Sequence, residues 1–206
     1  MDFGRPIGTV VPSLDGAVLE VLAGTDRGLS GRQVHSLAGA GSVAGVRLVL
    51  QRLASTGLVQ VTESGNSLLY TLNRKHLAAQ AVELLAGLRT TFVESLRAEL
   101  STWTIPPVHV SLYGAAARGD GDLDSDVDLL LIRPDEVAAD NRLWERQAAD
   151  LLHTIVDMTG NPAQLHELTP AELTAQPNLH HPEAITLHGP DLQTLQTALP
   201  AHLELV

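Results

Sequence analysis

Cysteine is absent from the chain, which excludes disulfide bonds, thiolate metal sites and a cysteine nucleophile, and fits a reducing compartment. Aromatic residues make up only 3% of the sequence, so no stacking platform for single-stranded nucleic acid is evident. The longest stretch without a formal charge, residues 100–117, contains Pro106 and Pro107 and does not predict a membrane span. The first residues lack the basic head and apolar run of a secretory signal, so we expect a cytoplasmic protein without a membrane partner.

Basic residues are also scarce, and their distribution matters more than their total. The net charge of the 206 residues is −11, which by itself argues against binding to nucleic acid phosphates. Residues 1–77, however, hold 7 of the 13 basic and 5 of the 24 acidic residues, a net charge of +2, and the remainder carries −13. Because 44% of the chain is hydrophobic, it can form a core. The charge asymmetry indicates two modules with different partners.

An N-terminal stretch shows the pattern of three short helices followed by a β-hairpin. Apolar residues recur at helical spacing after three serines that can act as N-caps, Ser13, Ser30 and Ser42. Each of these segments stops at a glycine. Two segments with period-two alternation follow, residues 58–62 and 68–72, and the turn-forming sequence ESGNS joins them.

This order of elements, with the segment LxRLASTGLVQV…YTL, resembles the winged helix-turn-helix DNA-binding domain. The resemblance implies that residues 1–77 form one domain whose third helix enters the major groove of double-stranded DNA while the hairpin lies along the backbone. The side chains best placed to contact DNA are then Arg47 and Arg52, with Arg32 on the preceding helix and Arg74 after the hairpin as further candidates. Winged helices also dock proteins or dimerise, and the domain carries only +2, so that alternative stays open.

A long helical pattern follows over residues 78–105, with leucine, valine and phenylalanine recurring every three or four residues. We predict a connecting helix between the two modules. Its apolar stripe suits either a second copy of the chain, in a homodimer, or the chain's own core. Pro106 and Pro107 end this helix and open a second domain over residues 106–206.

The second domain begins with features that suit phosphate groups and divalent cations. An alternating segment, residues 108–113, predicts a strand that stops at Gly114, where the backbone can approach a ligand and a following helix points free N–H groups outward. Asp126 and Asp128 lie two residues apart on a predicted strand, so both carboxylates project from one face. Two parallel carboxylates suit hard divalent cations, which in turn bind triphosphate oxygens.

The sequence LYGAAARGDGDLDSDVDLLLI resembles the minimal nucleotidyltransferases of the DNA polymerase β superfamily, whose signature combines Gly-Ser, Ala-Arg-Gly and Ser-Asp-x-Asp. The resemblance covers residues 108 to about 190 and implies a mixed β-sheet flanked by helices. It also implies that Asp126 and Asp128 are catalytic ligands for Mg²⁺ or Mn²⁺, with ATP as the expected nucleoside triphosphate. The positions that match the family's nucleotide-binding motif are Gly114, Ala115, Arg118 and Ser125.

Two positions depart from the family's pattern. Ala115 stands where the family has serine, so one hydrogen bond from a hydroxyl to phosphate is missing, a loss of roughly 1–3 kcal/mol. The family's third carboxylate, on a later strand, falls on Gln164, which neither takes a proton nor binds Mg²⁺ strongly. Alternation places Gln164 and His166 on the cleft side of that strand. His166 is the expected catalytic base in its place, because the ordinary pKa of histidine is about 6.5.

The chain is thus expected to have an α+β fold, with an N-terminal winged helix-turn-helix, a connecting helix and a C-terminal nucleotidyltransferase-type sheet. One expected function is transfer of a nucleoside monophosphate from a triphosphate to a protein, RNA or small-molecule acceptor. By resemblance, the chain would be an antitoxin-type modifier and its acceptor a partner toxin protein. The other expected function is that of a DNA-binding transcriptional regulator with a degenerate domain that senses nucleotide. Asp126 and Asp128 favour transfer, and Ala115 and Gln164 favour the regulator.

Overall fold

Helices and two small sheets make up the fold in a computed structural model, which describes residues 1–176, 178–179 and 181–199. The chain divides into two compact units. The N-terminal unit contains Asp2 and Gly4–Arg89, and the C-terminal unit contains Met1, Phe3 and the chain from Thr90 onward. The predicted α+β class is confirmed at this level, since each unit combines helices with a sheet of its own. In the described part of the chain, no helix is both long and apolar enough to cross a membrane.

The N-terminal unit begins with three helices and continues into a hairpin. Its elements are α1 (Leu14–Ala23), β1 (Leu29–Ser30), α2 (Gly31–Ala38), α3 (Val43–Ser55), β2 (Val59–Ser64) and β3 (Ser67–Leu72). The three predicted helices and the hairpin are therefore all present. The two-residue strand β1, which the sequence pattern did not indicate, pairs with β3 and gives an antiparallel sheet in the order β1-β3-β2.

Serine caps explain where α2 and α3 begin, whereas Ser13, at the N-cap position of α1, makes no side-chain capping hydrogen bond. The Ser30 hydroxyl accepts a hydrogen bond from the Gln33 backbone N–H, and the Gln33 side chain accepts one from the Ser30 N–H, which makes a capping box at the start of α2. Ser42 caps α3 by accepting a hydrogen bond from the Gly45 N–H. The core that the helices share with the hairpin includes Ile7, Val18, Leu22, Val34, Val46, Leu50, Leu53 and Tyr70.

The connecting helix predicted over residues 78–105 is not a single helix. The structure has α4 (Leu77–Ala86) followed by α5 (Leu88–Ser101). The break falls at Gly87, whose φ of −88° and ψ of 3° lie outside the helical region. Glycine is a poor helix former, because its flexible backbone loses much conformational entropy in a helix. The apolar repeat continues on both sides of the break, which is why the pattern alone predicted one helix.

One face of α4 is apolar and exposed. Leu77 is 95% exposed and Leu84 65%, and Ala81 lies between them on the same face of the helix. Of the predicted apolar stripe in α4, only Leu77 is therefore exposed, whereas Val82 is buried in the core of the N-terminal unit and Leu85 packs against it. A second copy of the chain on this face, in a homodimer, stays a prediction.

The C-terminal unit is built around a four-stranded sheet. Its elements after α5 are β4 (His109–Tyr113), α6 (Gly114–Arg118), β5 (Val127–Ile132), α7 (Arg142–Thr159), β6 (Ala163–Leu168), α8 (Pro170–Thr174), β7 (Ile185–His188) and α9 (Leu192–Ala198). The strand order is β6-β5-β4-β7. The sheet is mixed, because β5 and β6 run parallel while β4 is antiparallel to both β5 and β7. The sequence patterns did not indicate α8 or α9.

The pairing register decides which side chains share a face of this sheet. Directly paired residues on neighbouring strands point to the same side, and residues two apart along a strand do so as well. One face, called the Asp128 face below, therefore carries His109, Ser111 and Tyr113 of β4, Asp128, Leu130 and Ile132 of β5, and Gln164 and His166 of β6.

Packing differs along the Asp128 face. Leu130 and Ile132 form a core with Leu173 of α8 and with Leu192 and Leu195 of α9, so this end of the face is covered. Asp128, at the other end, remains partly exposed. The fold thus leaves the Asp128 carboxylate accessible at the end of the sheet where β4 meets α6.

Candidate functional site

Two neighbouring carboxylates lie at the start of β5. Asp126 directly precedes the strand, and Asp128 is its second residue, half-buried and opposite Tyr113 of β4. Burial is the main cause that raises the pKa of Asp128 above its ordinary value, and the negative charge of Asp126 raises it further. Nearby His181 opposes the rise. Because the two negative charges repel each other, a cation bound between them would lower the free energy of the site.

Gly114 forms the turn between β4 and α6 directly beside Asp128. Its φ of +69° lies in the left-handed region that favours glycine. A Cβ at this position would lie 2.7 Å from Asp128 Oδ2, so any side chain would collide with the carboxylate. The Gly114 N–H donates a 3.3 Å hydrogen bond to Glu183 Oε1. The next residue, Ala115, offers no hydroxyl at this turn.

The third position beside the pair belongs to β6. Gln164 lies in register with Asp128, and its Nε2 donates a 2.5 Å hydrogen bond to Asp126 Oδ2. An amide thus occupies the place where the family resemblance puts a third acid. His166 is exposed, two residues farther along the Asp128 face and in register with Leu130. Among the described residues, no three His, Asp or Glu side chains are grouped so that they could hold a metal ion.

Two predicted nucleotide-binding side chains brace the acidic loop between α6 and β5. Arg118 Nε donates to Asp120 Oδ2 over 3.0 Å, and Arg118 Nη1 lies 3.9 Å from Glu183 Oε1. The Ser125 hydroxyl donates to Asp122 Oδ1 over 2.7 Å and accepts a 2.9 Å hydrogen bond from the Asp122 N–H. In this structure both side chains hold their own loop. The family resemblance leaves two roles open for Arg118, which are to brace this loop or to contact phosphate. The contacts of Arg118 correspond to the first role.

Asn161 is a site residue that the sequence reasoning missed. Its side chain is fully buried, its Oδ1 accepts a hydrogen bond from the backbone nitrogen of Met1, and its Nδ2 donates to three backbone carbonyls of the acidic loop. These carbonyls, at 3.0–3.3 Å, belong to Asp122, Leu123 and Ser125. One amide therefore holds the loop that leads into Asp126. The one sequence feature that pointed to this position was the preceding Gly160, which ends α7 in the left-handed conformation and marks a tight turn.

A ring pair and a carboxylate that the sequence reasoning also missed adjoin the Gly114 turn. The Tyr113 and His181 rings stack with centroids 4.2 Å apart and planes at 22°. Burial and the charge of Asp128 raise the pKa of the Tyr113 hydroxyl. Hydrogen bonds from its own backbone N–H and from Gly114, together with the charge of His181, lower the pKa of Glu183. His181 and Glu183 lie far from the carboxylates in sequence, so only the fold brings them to the site.

Two of the four predicted DNA-contacting arginines line one groove of the N-terminal unit. The groove, of about 570 Å³, includes residues from the starts of α2 and α3 and from the tip of the β2–β3 hairpin. Its lining includes Arg32, Arg47, Val43, Asn66 and Ser67. Both arginines are exposed, and within the described residues neither forms an ion pair. Their charges are therefore available to an anionic partner.

The other two arginines are engaged within the N-terminal unit. Arg52 forms an ion pair with Asp15 of α1. Arg74 donates a 2.8 Å hydrogen bond to Asp26 and also pairs with Glu83 of α4. Because carboxylates already balance these two positive charges, they contribute less to a phosphate-binding surface than the two arginines of the groove.

Comparison with known proteins identifies no relative of this chain. The chain matches no family model, no curated protein and no solved structure.

Proposed function

We propose that the C-terminal unit is a metal-dependent nucleotidyltransferase, which transfers a nucleoside monophosphate from a nucleoside triphosphate to an acceptor. The observation that carries this proposal is the pair of Asp126 and Asp128 beside the Gly114 turn. The same residues carry the resemblance of LYGAAARGDGDLDSDVDLLLI to minimal nucleotidyltransferases. The acceptor would be a protein, an RNA end or a small molecule, and the resemblance makes a toxin-type partner protein a reasonable candidate.

The donor set at the carboxylate pair suits Mg²⁺ or Mn²⁺. These cations take hard oxygen ligands, and Asp128 offers carboxylate oxygens beside the Gly114 turn while the charge of Asp126 acts on it from close by. Asp126 and Asp128 would therefore hold the metal. When bound, the metal would neutralise phosphate charge and strengthen the attacking nucleophile.

Residues around the pair would position the nucleotide. A phosphate oxygen at the turn would accept the Gly114 N–H that Glu183 now engages. Gln164 orients the Asp126 carboxylate through its amide hydrogen bond. His166, exposed on the same face, is the candidate acceptor of the proton that the attacking group loses.

A second function is favoured by one specific observation, the amide of Gln164 beside Asp126. Since a third acid completes the metal site in the family that the sequence resembles, an amide in its place would permit nucleotide binding without efficient transfer. The chain would then be a DNA-binding transcriptional regulator whose C-terminal unit senses nucleotide. Measured transfer distinguishes the two functions, because only the first releases pyrophosphate.

For the N-terminal unit we propose a winged helix-turn-helix that binds double-stranded DNA. In this arrangement α3 approaches the major groove and the β2–β3 hairpin lies along the backbone. The order of three helices and a hairpin supports this role, and so does the groove that contains Arg32 and Arg47. Positive side chains without intramolecular partners can displace counterions from DNA phosphates, which is the main source of such affinity.

ATP with Mg²⁺ should raise the melting temperature of the full chain, whereas ATP with a chelator should not. At a ligand concentration 100 times Kd, the stabilisation is about 2.7 kcal/mol, or roughly 5–10 °C for a domain of this size. Differential scanning fluorimetry measures the shift, and release of pyrophosphate from ATP in the presence of a candidate acceptor measures transfer. The absence of any metal-dependent shift would refute both transfer and nucleotide sensing.

Gly114→Ala and Gly160→Ala form a matched pair for the same measurement. Both glycines have φ near +70°, so alanine strains the backbone equally at each. Only at Gly114 does the new Cβ meet the Asp128 carboxylate, because nothing lies within 4 Å of a Cβ at Gly160. Gly114→Ala should therefore lose the metal-dependent shift and Gly160→Ala should retain it. Equal loss in both variants would contradict the assignment of the turn.

Arg32→Ala and Arg47→Ala should each weaken the binding of the full chain to double-stranded DNA. Each variant should also reduce the slope of log K against log salt by about one for each phosphate that it no longer neutralises. Arg52→Ala is the matched control, because its guanidinium pairs with Asp15 and its loss should cost at most about 1 kcal/mol of stability. Fluorescence anisotropy at several salt concentrations measures these effects. If Arg52→Ala weakens DNA binding as much as Arg47→Ala, the assigned surface is wrong.

A further inference from the structure

A cavity of about 170 Å³ lies in the C-terminal unit, lined by β4 and by residues between His181 and Gln196. His109 and Ser111 of β4 and Thr186 of β7 contribute polar groups to its wall. Apolar surface comes from Pro182, Ala184 and Leu192. An apolar cavity of about 150 Å³ can hold a benzene molecule, so this cavity has room for a heteroaromatic ring.

Two buried polar atoms in this wall have no hydrogen-bond partner among the residues that the structure describes. His109 and Ser111 are both fully buried, and no described residue forms a hydrogen bond with His109 Nε2 or Ser111 Oγ. Buried polar side-chain atoms without a partner are uncommon, since each one loses its hydrogen bonds to water and regains none. Two such atoms beside one cavity point to an occupant that supplies the missing partners.

The surroundings of His109 determine which partner it needs. Its Nδ1 lies 2.7 Å from the Pro190 carbonyl oxygen, which can only accept, so Nδ1 carries the proton. Burial lowers the pKa of His109, although the Pro190 carbonyl and the charge of Asp191 oppose the shift. The ring is therefore neutral near pH 7, and Nε2 presents a lone pair. An occupant must donate an N–H or O–H to Nε2, whereas the Ser111 hydroxyl can donate or accept.

The cavity adjoins the carboxylate pair. His181 lines the cavity and also stacks on Tyr113, which lies opposite Asp128 in the sheet. Ser111 precedes Tyr113 by two residues on the same face of β4, roughly 7 Å along the strand. A molecule whose phosphates lie at the carboxylates would therefore have a polar cavity within reach of its other end.

We propose that this cavity receives the base of the nucleoside triphosphate and selects a base with an amino group at C6 of a purine or C4 of a pyrimidine, adenine or cytosine. The inference rests on the proposed nucleotidyltransferase function and names the class of nucleotide that the site takes. The amino group donates to His109 Nε2, and the Ser111 hydroxyl donates to the ring nitrogen next to it. In hypoxanthine and uracil a carbonyl oxygen replaces the amino group, so two acceptors would face each other at His109.

Two pairs of nucleotides test this selection, because ATP differs from ITP, and CTP from UTP, by an amino group in place of a carbonyl. Isothermal titration of the full chain in Mg²⁺ gives the Kd of each nucleotide. We expect the amino member of at least one pair to bind about tenfold more tightly or better. A site built to accept a hydrogen bond rejects the analogue that lacks the donor by at least this factor. Tripolyphosphate with Mg²⁺ measures binding at the carboxylates without a base.

Two conservative variants connect the selection to the cavity. Ser111→Ala removes a hydroxyl that no described residue engages, so it should not lower the melting temperature. It should nevertheless raise the Kd of the preferred nucleotide about tenfold. His109→Asn keeps a donor for the Pro190 carbonyl but lacks the Nε2 acceptor, so it should abolish the preference for the amino base. His188→Asn is the matched control, because this imidazole lies on β7 outside the cavity lining. All three variants should bind tripolyphosphate like the wild type.

The outcomes separate this inference from the function on which it rests. If both pairs bind equally and both cavity variants leave every Kd unchanged while tripolyphosphate binds, the cavity does not hold the base and the inference is overturned. The proposed function then stands. If neither the nucleotides nor tripolyphosphate bind with Mg²⁺, the proposed function fails and the inference fails with it.

Discussion

Asp126→Asn and Asp128→Asn should each reduce nucleotide transfer by at least about 10³-fold. Each substitution removes a charged oxygen ligand, and metal stabilisation of the transition state contributes several kcal/mol, which corresponds to such a factor in rate. The variants should remain folded, because asparagine has nearly the same shape as aspartate. Pyrophosphate release measures the loss, and unchanged transfer in both variants would refute the proposed metal site.

Asp128→Asn should at the same time raise the melting temperature of the nucleotide-free chain by roughly 1–3 °C. Burial and the charge of Asp126 raise the pKa of Asp128, so the ionised carboxylate destabilises the folded chain. This destabilisation is absent below the ordinary pKa of aspartate, about 3.9, and reaches its full size as the pH rises through the raised value. A functional group that costs stability is typical of a binding site, and opposite signs for stability and activity identify it as one.

Asp124→Asn is the matched control for both measurements. Asp124 is an exposed acid of the same loop, two residues before Asp126, and its loss changes the net charge by the same amount. It should reduce transfer only slightly and leave the melting temperature unchanged. If it lowers transfer as much as Asp126→Asn, the general negative field of the loop is responsible and not ligation by the pair.

Asn161→Ala should lower the melting temperature by roughly 5–10 °C and abolish most of the metal-dependent binding. Three loop carbonyls lose their common donor and a buried side chain is removed, a cost of about 2–4 kcal/mol. The loop that leads into Asp126 would then lose its anchor. Thermal unfolding measures the loss of stability. Faster hydrogen exchange of the amides at residues 120–126 measures the release of the loop.

Asn141→Ala provides the comparison for Asn161→Ala. Asn141 caps α7 by accepting hydrogen bonds from the N–H groups of Leu143 and Trp144, so its loss should cost about 1 kcal/mol. Exchange in the acidic loop should stay as in the wild type. If Asn161→Ala destabilises the chain but leaves exchange in the loop unchanged, Asn161 does not position the loop.

Elements whose signals are local could be predicted from the sequence. Ser30 and Ser42 lie directly before the helices that they cap, and period-two alternation marks both strands of the hairpin. The connecting helix shows the limit of this approach, because an apolar period does not report the local break at Gly87. The strand β1 is two residues long and exists only through its pairing with β3, so no periodic pattern could indicate it.

The candidate site divides in the same way. Gly114, Asp126 and Asp128 could be identified because they lie within fifteen residues of one another in a single motif. Asn161 reaches the acidic loop across 36–39 residues, and Glu183 reaches the Gly114 turn across 69. No spacing rule connects residues so far apart, so these contacts could not be found before the fold was known.

The arginines of the N-terminal unit show the same difference between what the sequence and the structure reveal. From the sequence, Arg47 and Arg52 were the preferred candidates for DNA contact, and Arg32 and Arg74 were additional ones. Ion pairs with Asp15, Asp26 and Glu83 engage two of them, and the groove contains the other two. A net charge counts residues, whereas a binding surface depends on which charges lack a partner.

The sequence by itself determined the three N-terminal helices, the hairpin, the turn at Gly114 and the neighbouring carboxylates Asp126 and Asp128, because these follow from periodicity and from residues that lie close together in the chain. The tertiary structure decided which amide stands beside Asp126, which residues hold the acidic loop, and which polar atoms of β4 remain unpartnered beside a cavity. The physical reason is that hydrogen bonds, burial and charge neutralisation depend on distances in space. Distances along the chain limit those in space only for residues that are near neighbours in sequence.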